Sequence, residues 1–317
     1  MLGGWFMVSK DVKDFEAKKQ TVDELVKQLK CTAYNARKLA EATDIVEQMI
    51  RDSSCVKILG LSGALVPAGM RGCITEMIKN KWVDIIVSTG ANVTHDLAVA
   101  LGGESYYQCE PAKIDDAKMR EGGVSRIYDV ISPDSSSISF EKEIQKIFGK
   151  IPEGNYATHE LMEAIGKQIA DENSIVGQAA KHGVKIIIPA FFDSILGIQL
   201  WMHTQERMLT IDERKDLDFL INMNYELKSS SKNTGALILG GGVPKNFILQ
   251  SVIVPDKPHK YLVQVTTDIP QYGGLSGASL EEAISWGKVD AGSKLCTVLC
   301  DATIALPIII SALKERL

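Results

Sequence analysis

Short apolar runs recur along the chain, each closing in small or polar residues, with amphipathic stretches between them. The runs cover residues 56–63, 83–90, 185–190, 236–242, 261–268 and 295–301, and helical spacing of apolar positions spans 70–80, 158–180 and 212–227. Strands alternating with helices predict an α/β fold: a mainly parallel, Rossmann-like sheet with helices on both faces. No repeat or low-complexity linker divides the sequence, so residues 1–317 read as a single domain, with polar surface loops at 132–137 and 228–233. Ligands of such sheets bind beyond the carboxyl ends of the strands. Every run ends there in Gly, Ser, Thr, Ala or Asp, which predicts a small, hydrogen-bonding rim around a nucleotide-sized site.

Composition narrows the function classes. The 317 residues are 45% hydrophobic and 24% charged, ample for a large core, and 35 Lys+Arg against 40 Asp+Glu leave a net charge of −5. No basic field draws the chain to nucleic acid or an anionic membrane. The longest apolar stretch, 304–313, is interrupted by Pro307 and Ser311 and falls short of the roughly 20 residues that span a bilayer. The opening residues 1–9 are too short for a signal peptide before Lys10, Asp11 and Lys13. Six cysteines without a CxxC pair predict reduced core thiols in a cytoplasmic protein. Cys296 and Cys300 flank a strand without the companions a metal needs, so no metal site is expected.

Two glycine-rich turns follow predicted strands. Gly240-Gly241-Gly242-Val243-Pro244-Lys245-Asn246 joins a strand to a helix start, with Pro244 suited to a first helical position, and offers free backbone amides to an anion such as a pyrophosphate. Gly60-x-x-Gly63 with Gly69 repeats the arrangement. Neither is the G-x-G-x-x-G fingerprint, so a dinucleotide here would be held in a non-standard way.

The stretch from Gly273 to Lys288 carries the reactive candidates. It reads as a Gly-rich loop and a short helix presenting Glu282 and Trp286 on one face at i, i+4, then a glycine hinge and Lys288. An adjoining indole would desolvate the Lys288 ammonium and lower its pKa, freeing an amine to attack an imine or carbonyl. Glu282 would supply a carboxylate for a polyamine cation.

This segment resembles the deoxyhypusine synthase family, whose Glu-Ala-(Val/Ile)-Ser-Trp-Gly-Lys motif stands intact at 282–288. The likeness extends through Leu59-Gly60-Leu61-Ser62, Val87-Ser88-Thr89-Gly90, Asp193-Ser194-Ile195-Leu196-Gly197, Leu239-Gly240-Gly241-Gly242, Thr266-Thr267 and Asp301-Ala302-Thr303, most of the chain. It implies that family's fold, NAD as cofactor, and a homotetramer with sites at a dimer interface. In the family reaction NAD takes a hydride from spermidine and 1,3-diaminopropane leaves. The butylimine passes to the motif lysine and then to a lysine of the hypusine-bearing translation factor, where the retained NADH reduces it. The resemblance makes Lys288 the covalent nucleophile, lines the polyamine pocket with Glu282 and Trp286, and assigns the dinucleotide to Ser62, Thr89, Gly90, Asp193, Gly240, Gly241, Gly242, Thr267, Asp301 and Ala302.

Three positions depart from the family pattern. Asn246 stands where the family has a histidine after the lysine, and Leu275 and Ile198 stand where it has aspartates that pair with substrate amines. Losing two carboxylates removes partners for cationic nitrogens. Asn246 and Tyr272 become substrate-binding candidates, Gln271 and Tyr272 replacing the usual acidic and aromatic residues. His95, after a strand end, is the histidine best placed for acid–base work. His203 is expected to pack, and His159, His182 and His259, without apparent companions, receive no role. Two further readings follow: transfer of the butylimine to putrescine (homospermidine synthesis) or another small amine, or an NAD-binding protein without catalysis. A sirtuin-like deacylase is set aside because its paired CxxC zinc ligands are missing.

Overall fold

A computed structural model describes residues 11–317 of the chain; the expectation about residues 1–9 lies outside the described residues. Six parallel strands form the main sheet: β1 (Cys55–Leu61), β2 (Ile85–Ser88), β3 (Lys185–Ile187), β4 (Asn233–Leu239), β5 (His259–Thr266) and β6 (Val289–Leu299). Their spatial order is β6-β5-β4-β1-β2-β3, every neighbouring pair parallel. The six apolar runs are thus the six strands, and β6 and β3 are the edges.

Alternation along each strand sends successive side chains to opposite faces. Leu59, Leu61, Ile86, Leu237, Leu239, Val263 and Val265 belong to the larger core, completed by helices α1 (Tyr34–Arg51), α2 (Gly90–Gly102), α3 (Thr158–Gly166), α4 (Ile175–His182) and α5 (Ile195–His203). Ile58, Ile85, Val87, Ala236, Ile238 and Leu262 face the other way, covered by Leu220 of α6 (Arg214–Ser229), Ile248 and Leu249 of α7 (Gly242–Gln250), and Leu280 and Ala283. Gly60 faces that second side in close packing: a Cβ there would lie 3.0 Å from the Ile248 side chain. The C-terminal helix α8 (Ala302–Arg316) returns to the larger core through Leu306, Ile309 and Leu313 and contains Pro307. No helix among the described residues is long and apolar enough to cross a membrane.

Three expectations are corrected. The helical pattern at 158–180 is two helices, α3 and α4, because the chain doubles back. Gly166 packs so closely on the following helix that a Cβ would sit 2.5 Å from the Val176 carbonyl oxygen. The polar stretch 132–137 is not a loop: it ends the strand Val130–Pro133 of a small antiparallel sheet with Tyr107–Gln108 and Val124–Ile127, then enters the helix Asp134–Lys150. Ser135, Ser136 and Ser137 occupy the first turn of that helix, where polar residues are favoured. Of the six cysteines, all with free thiols, only Cys55 and Cys296 are buried; Cys73, Cys109 and Cys300 are partly exposed and Cys31 is exposed. No cluster of potential metal ligands occurs among the described residues.

Candidate functional site

The carboxyl ends of four adjacent strands, β6, β5, β4 and β1, open onto a cavity of about 380 Å³, within the usual size of small-molecule sites. Its walls include Ser62 and Gly63 after β1, Gly240 and Gly241 after β4, Thr267 and Asp268 after β5, and Asp301 and Ala302 after β6. Six of the expected dinucleotide residues (Ser62, Gly240, Gly241, Thr267, Asp301 and Ala302) therefore come together, and Gly242 begins α7 beside them.

The triple glycine is needed for shape. Gly240 has φ +81, in the left-handed region, and a Cβ on Gly241 would lie 2.5 Å from the Ser276 Cα. The Ser62 hydroxyl donates to the Gly241 carbonyl at 2.5 Å. α7 starts without a side-chain cap, so its first amides are available to an anion. Beneath the loops the fully buried Gln264 amide donates to the Gly240 and Ser276 carbonyls, both at 2.8 Å, while its Oε1 has no partner among the described residues. Asp301 caps α8 through one carboxylate oxygen, accepting from the Thr303 amide at 2.7 Å. Open amides at a helix start and closely nested glycines fit the phosphates of a dinucleotide such as NAD.

Lys245, in the first turn of α7, was not singled out from the sequence. Its side chain is 1% exposed and its ammonium donates to the carbonyls of Leu275 (3.1 Å) and Ala278 (2.6 Å). Burial lowers its pKa to about 8; Glu282 and Asp268 oppose the shift and Lys288 reinforces it. Its place after Pro244 at a helix start was the available signal, but a lysine there reads as solvated until the 273–279 loop is seen to cover it.

The candidate reactive segment is a 3₁₀ helix, Glu282–Trp286, closed by Gly287 at φ +66. With three residues per turn, positions four apart point about 120° from each other, so Glu282 and Trp286 do not share a face as α-helical spacing predicts. The Lys288 ammonium lies 5.6 Å from the Trp286 ring centroid, a cation–π distance. Trp286 is itself 64% exposed, so the indole flanks the amine without burying it. The lysine's backbone is tied on both sides: its amide donates to Ala283 O and its carbonyl accepts from the His259 amide, each at 3.0 Å. Tyr272 and Leu275 are exposed, and Asn246 is half-buried.

The remaining expected residues gather at the ends of β2 and β3, off the walls of the cavity. Thr89 is the N-cap residue of α2, its side chain making no capping hydrogen bond, and Gly90 meets the next loop so tightly that a Cβ would lie 2.5 Å from Ser194 Cβ. Exposed Asp193 follows β3 in a loop where Ala190 takes φ +58, unusual for a residue with a side chain. Ile198 is exposed on α5. His95, in the second turn of α2, is half-buried, its pKa depressed by burial, with Nδ1 3.0 Å from the Tyr106 hydroxyl. His203 packs on Phe148 and meets Gln145 at 3.0 Å. Two histidines given no role have partners after all. His159 Nδ1 is 2.7 Å from Asp216, and His259, fully buried at the start of β5, meets Thr234 at 2.9 Å with its pKa lowered to about 4 by burial.

Comparison with known proteins bears on the same segments. The deoxyhypusine synthase family model matches residues 24–313. The chain is 42% identical over 297 residues to "Probable deoxyhypusine synthase 1" of Methanosarcina acetivorans, covering 94% of this chain and 92% of that one. It is 38% identical to the Archaeoglobus fulgidus protein of the same name, covering 93% and 94%. Among solved structures, an Entamoeba histolytica protein assigned as a deoxyhypusine synthase superposes with a TM-score of 0.60 at 19% identity, over 92% of this chain and 91% of that one, a likeness of fold. With the motif at 282–288 intact and the match running almost end to end, the chain belongs to the deoxyhypusine synthase family, whose members are transferases of aminobutyl groups.

Proposed function

We propose that this protein transfers an aminobutyl group from spermidine or a related amine, with NAD as cofactor, through Lys288 to a lysine of the hypusine-bearing translation factor. The observation that carries the reading is the intact segment 282–288, with its lysine held by backbone hydrogen bonds against an exposed indole. Ser62, Gly240, Gly241, Gly242, Thr267, Asp301 and Ala302 would hold the dinucleotide, with Thr89, Gly90 and Asp193 at the second rim. NAD, when bound, accepts a hydride from the amine and returns it. Lys288 attacks the oxidised carbon, the bond from that carbon to the secondary nitrogen breaks with loss of 1,3-diaminopropane, and the lysine carries the group as an imine until an acceptor amine displaces it. Trp286 and Tyr272 offer aromatic faces to the cationic chain, Glu282 a carboxylate and Asn246 an amide, and His95 exchanges the proton.

Strand order supports an oligomer, and the family resemblance a homotetramer. Asp193 follows edge strand β3, while Lys288 leads into edge strand β6. Five inter-strand steps of about 4.8 Å put those edges roughly 24 Å apart, and the two residues lie at opposite ends of their strands. A second copy brings the two rims to one substrate. Apolar side chains stand ready on both: Phe192, Ile195, Ile198 and Trp201 on one, Tyr272 and Trp286 on the other. Free thiols agree with a cytoplasmic setting.

The exposed Leu275 and Ile198, at positions where the family carries amine-binding aspartates, favour a second reading in which the acceptor is putrescine or another small amine. One assay tests both. Purified protein with NAD and spermidine is expected to release 1,3-diaminopropane, Lys288→Ala to release none, and borohydride to trap an adduct on Lys288; the labelled product names the acceptor. If no amine yields an adduct while NAD still binds, the protein is a non-catalytic NAD binder and the proposal fails.

A further inference from the structure

Beside the second rim a chain of hydrogen bonds runs from the small antiparallel sheet to His95. The Ser132 hydroxyl donates to Glu104 Oε1 at 2.7 Å, the Tyr106 hydroxyl donates to Glu104 Oε2 at 2.8 Å, and the Tyr106 oxygen lies 3.0 Å from His95 Nδ1. Ser132 is buried, and Glu104, Tyr106 and His95 are half-buried. The His95 and Tyr106 rings meet edge to face at 5.9 Å.

The proton inventory of this chain has one solution. A phenol carries a single proton, and a carboxylate has none to give. Facing both Glu104 and His95, Tyr106 must spend that proton on the carboxylate, since the reverse choice would set two lone pairs against each other at 2.8 Å. Its remaining lone pair can only accept, so the imidazole must donate from Nδ1. Neutral His95 then bears its lone pair on Nε2, for which the described residues supply no partner. Burial and the neighbouring Glu104 both raise the phenol's pKa, keeping that proton in place.

We infer that Tyr106 and Glu104 are positioning residues that lock His95 in the Nδ1–H tautomer and so present Nε2 as the proton acceptor of the site. This rests on the proposed acid–base role of His95, which follows from its location: the second turn of α2, one turn beyond exposed Ala91, at the carboxyl end of β2. When Nε2 takes a proton, the imidazolium formed is held through Nδ1–H and the Tyr106 hydroxyl against the Glu104 carboxylate. The device is the usual one by which the partner of one ring nitrogen decides what the other does. Sequence spacing hides it, because Glu104 and Tyr106 lie past the end of α2 and Ser132 in a separate strand.

Long-range ¹H–¹⁵N correlation spectra of the histidine-labelled full-length protein, with His95 assigned by the signals lost in His95→Gln, test it. The wild-type spectrum is expected to show the Nδ1–H pattern for neutral His95, and Tyr106→Phe to move it toward the Nε2–H form with kcat about 10- to 100-fold lower and KM for the amine little changed. An Nε2–H pattern in the wild type, or an unchanged tautomer in Tyr106→Phe, overturns the inference, and the first of these needs no variant to fold. Full turnover by His95→Gln would instead overturn the acid–base reading while leaving the tautomer assignment standing.

Discussion

The Lys245 ammonium lies 2.6 Å from the carbonyl oxygen of Ala278, and that contact ties the triple-glycine turn to the loop leading into the reactive segment. No carboxylate is hydrogen-bonded to it among the described residues. Its folded pKa of about 8 lies below the ordinary 10.5. Between these values the unfolded chain holds the proton and the folded chain releases it, so stability rises with pH across that window. Relative to Lys245→Met, the wild type is expected to gain at most about 3 kcal/mol from pH 8 to 10.5. Urea titrations of both proteins over that range measure it, and parallel pH profiles would contradict it.

Asp96 is completely buried in α2. It accepts from Arg71 Nε at 2.6 Å, the Ser174 hydroxyl at 2.8 Å and the amides of Ile175 (2.9 Å) and Val176 (3.0 Å). It thus pins the start of α4 to the helix that carries His95. Asp96→Asn leaves the Arg71 charge partly unpaired and turns one acceptor into a donor facing donors. A loss of about 3–5 kcal/mol is expected from the shift in denaturation midpoint; a loss below 1 kcal/mol would show that the network relaxes.

Gly241→Ala places a methyl group 2.5 Å from the Ser276 Cα, where backbone has to move. We expect about 1–3 kcal/mol of destabilisation and weaker NAD binding in calorimetry, because Ser276 and Gly241 both line the cavity. An unchanged dinucleotide affinity would place NAD elsewhere.

A site shared between copies predicts complementation. Lys288→Ala and Asp193→Ala proteins should each be inactive alone and regain activity when coexpressed as mixed oligomers, since one interface then carries both native residues. Mixed oligomers that stay inactive would mean that each chain supplies both residues to its own site.

Much of this fold was legible in advance. Five strands announce themselves as apolar runs, because a strand buried on both faces must be apolar at nearly every position; edge strand β6 is largely exposed over 290–294, and only its last part, from 295, shows as a run. Short polar elements were missed: Val124–Ile127 and Tyr107–Gln108 are largely exposed, so no burial pattern marks them. The helical geometry around Glu282 was also misjudged, since i, i+4 spacing speaks for an α-helix only where the backbone takes that pitch.

By itself the sequence determined the parallel sheet, the small-residue rim and the lysine segment, all of which depend on residues close together along the chain. Tertiary structure decided how those pieces combine. Strand order, a non-local property, separates Asp193 from Lys288 and brings Ser62, Gly240, Thr267 and Asp301 around one cavity. It also decided which lysine is buried: the motif's Lys288 stands beside an exposed indole, while Lys245 lies under a loop thirty residues away, and desolvation depends on what covers an ammonium rather than on its neighbours in sequence.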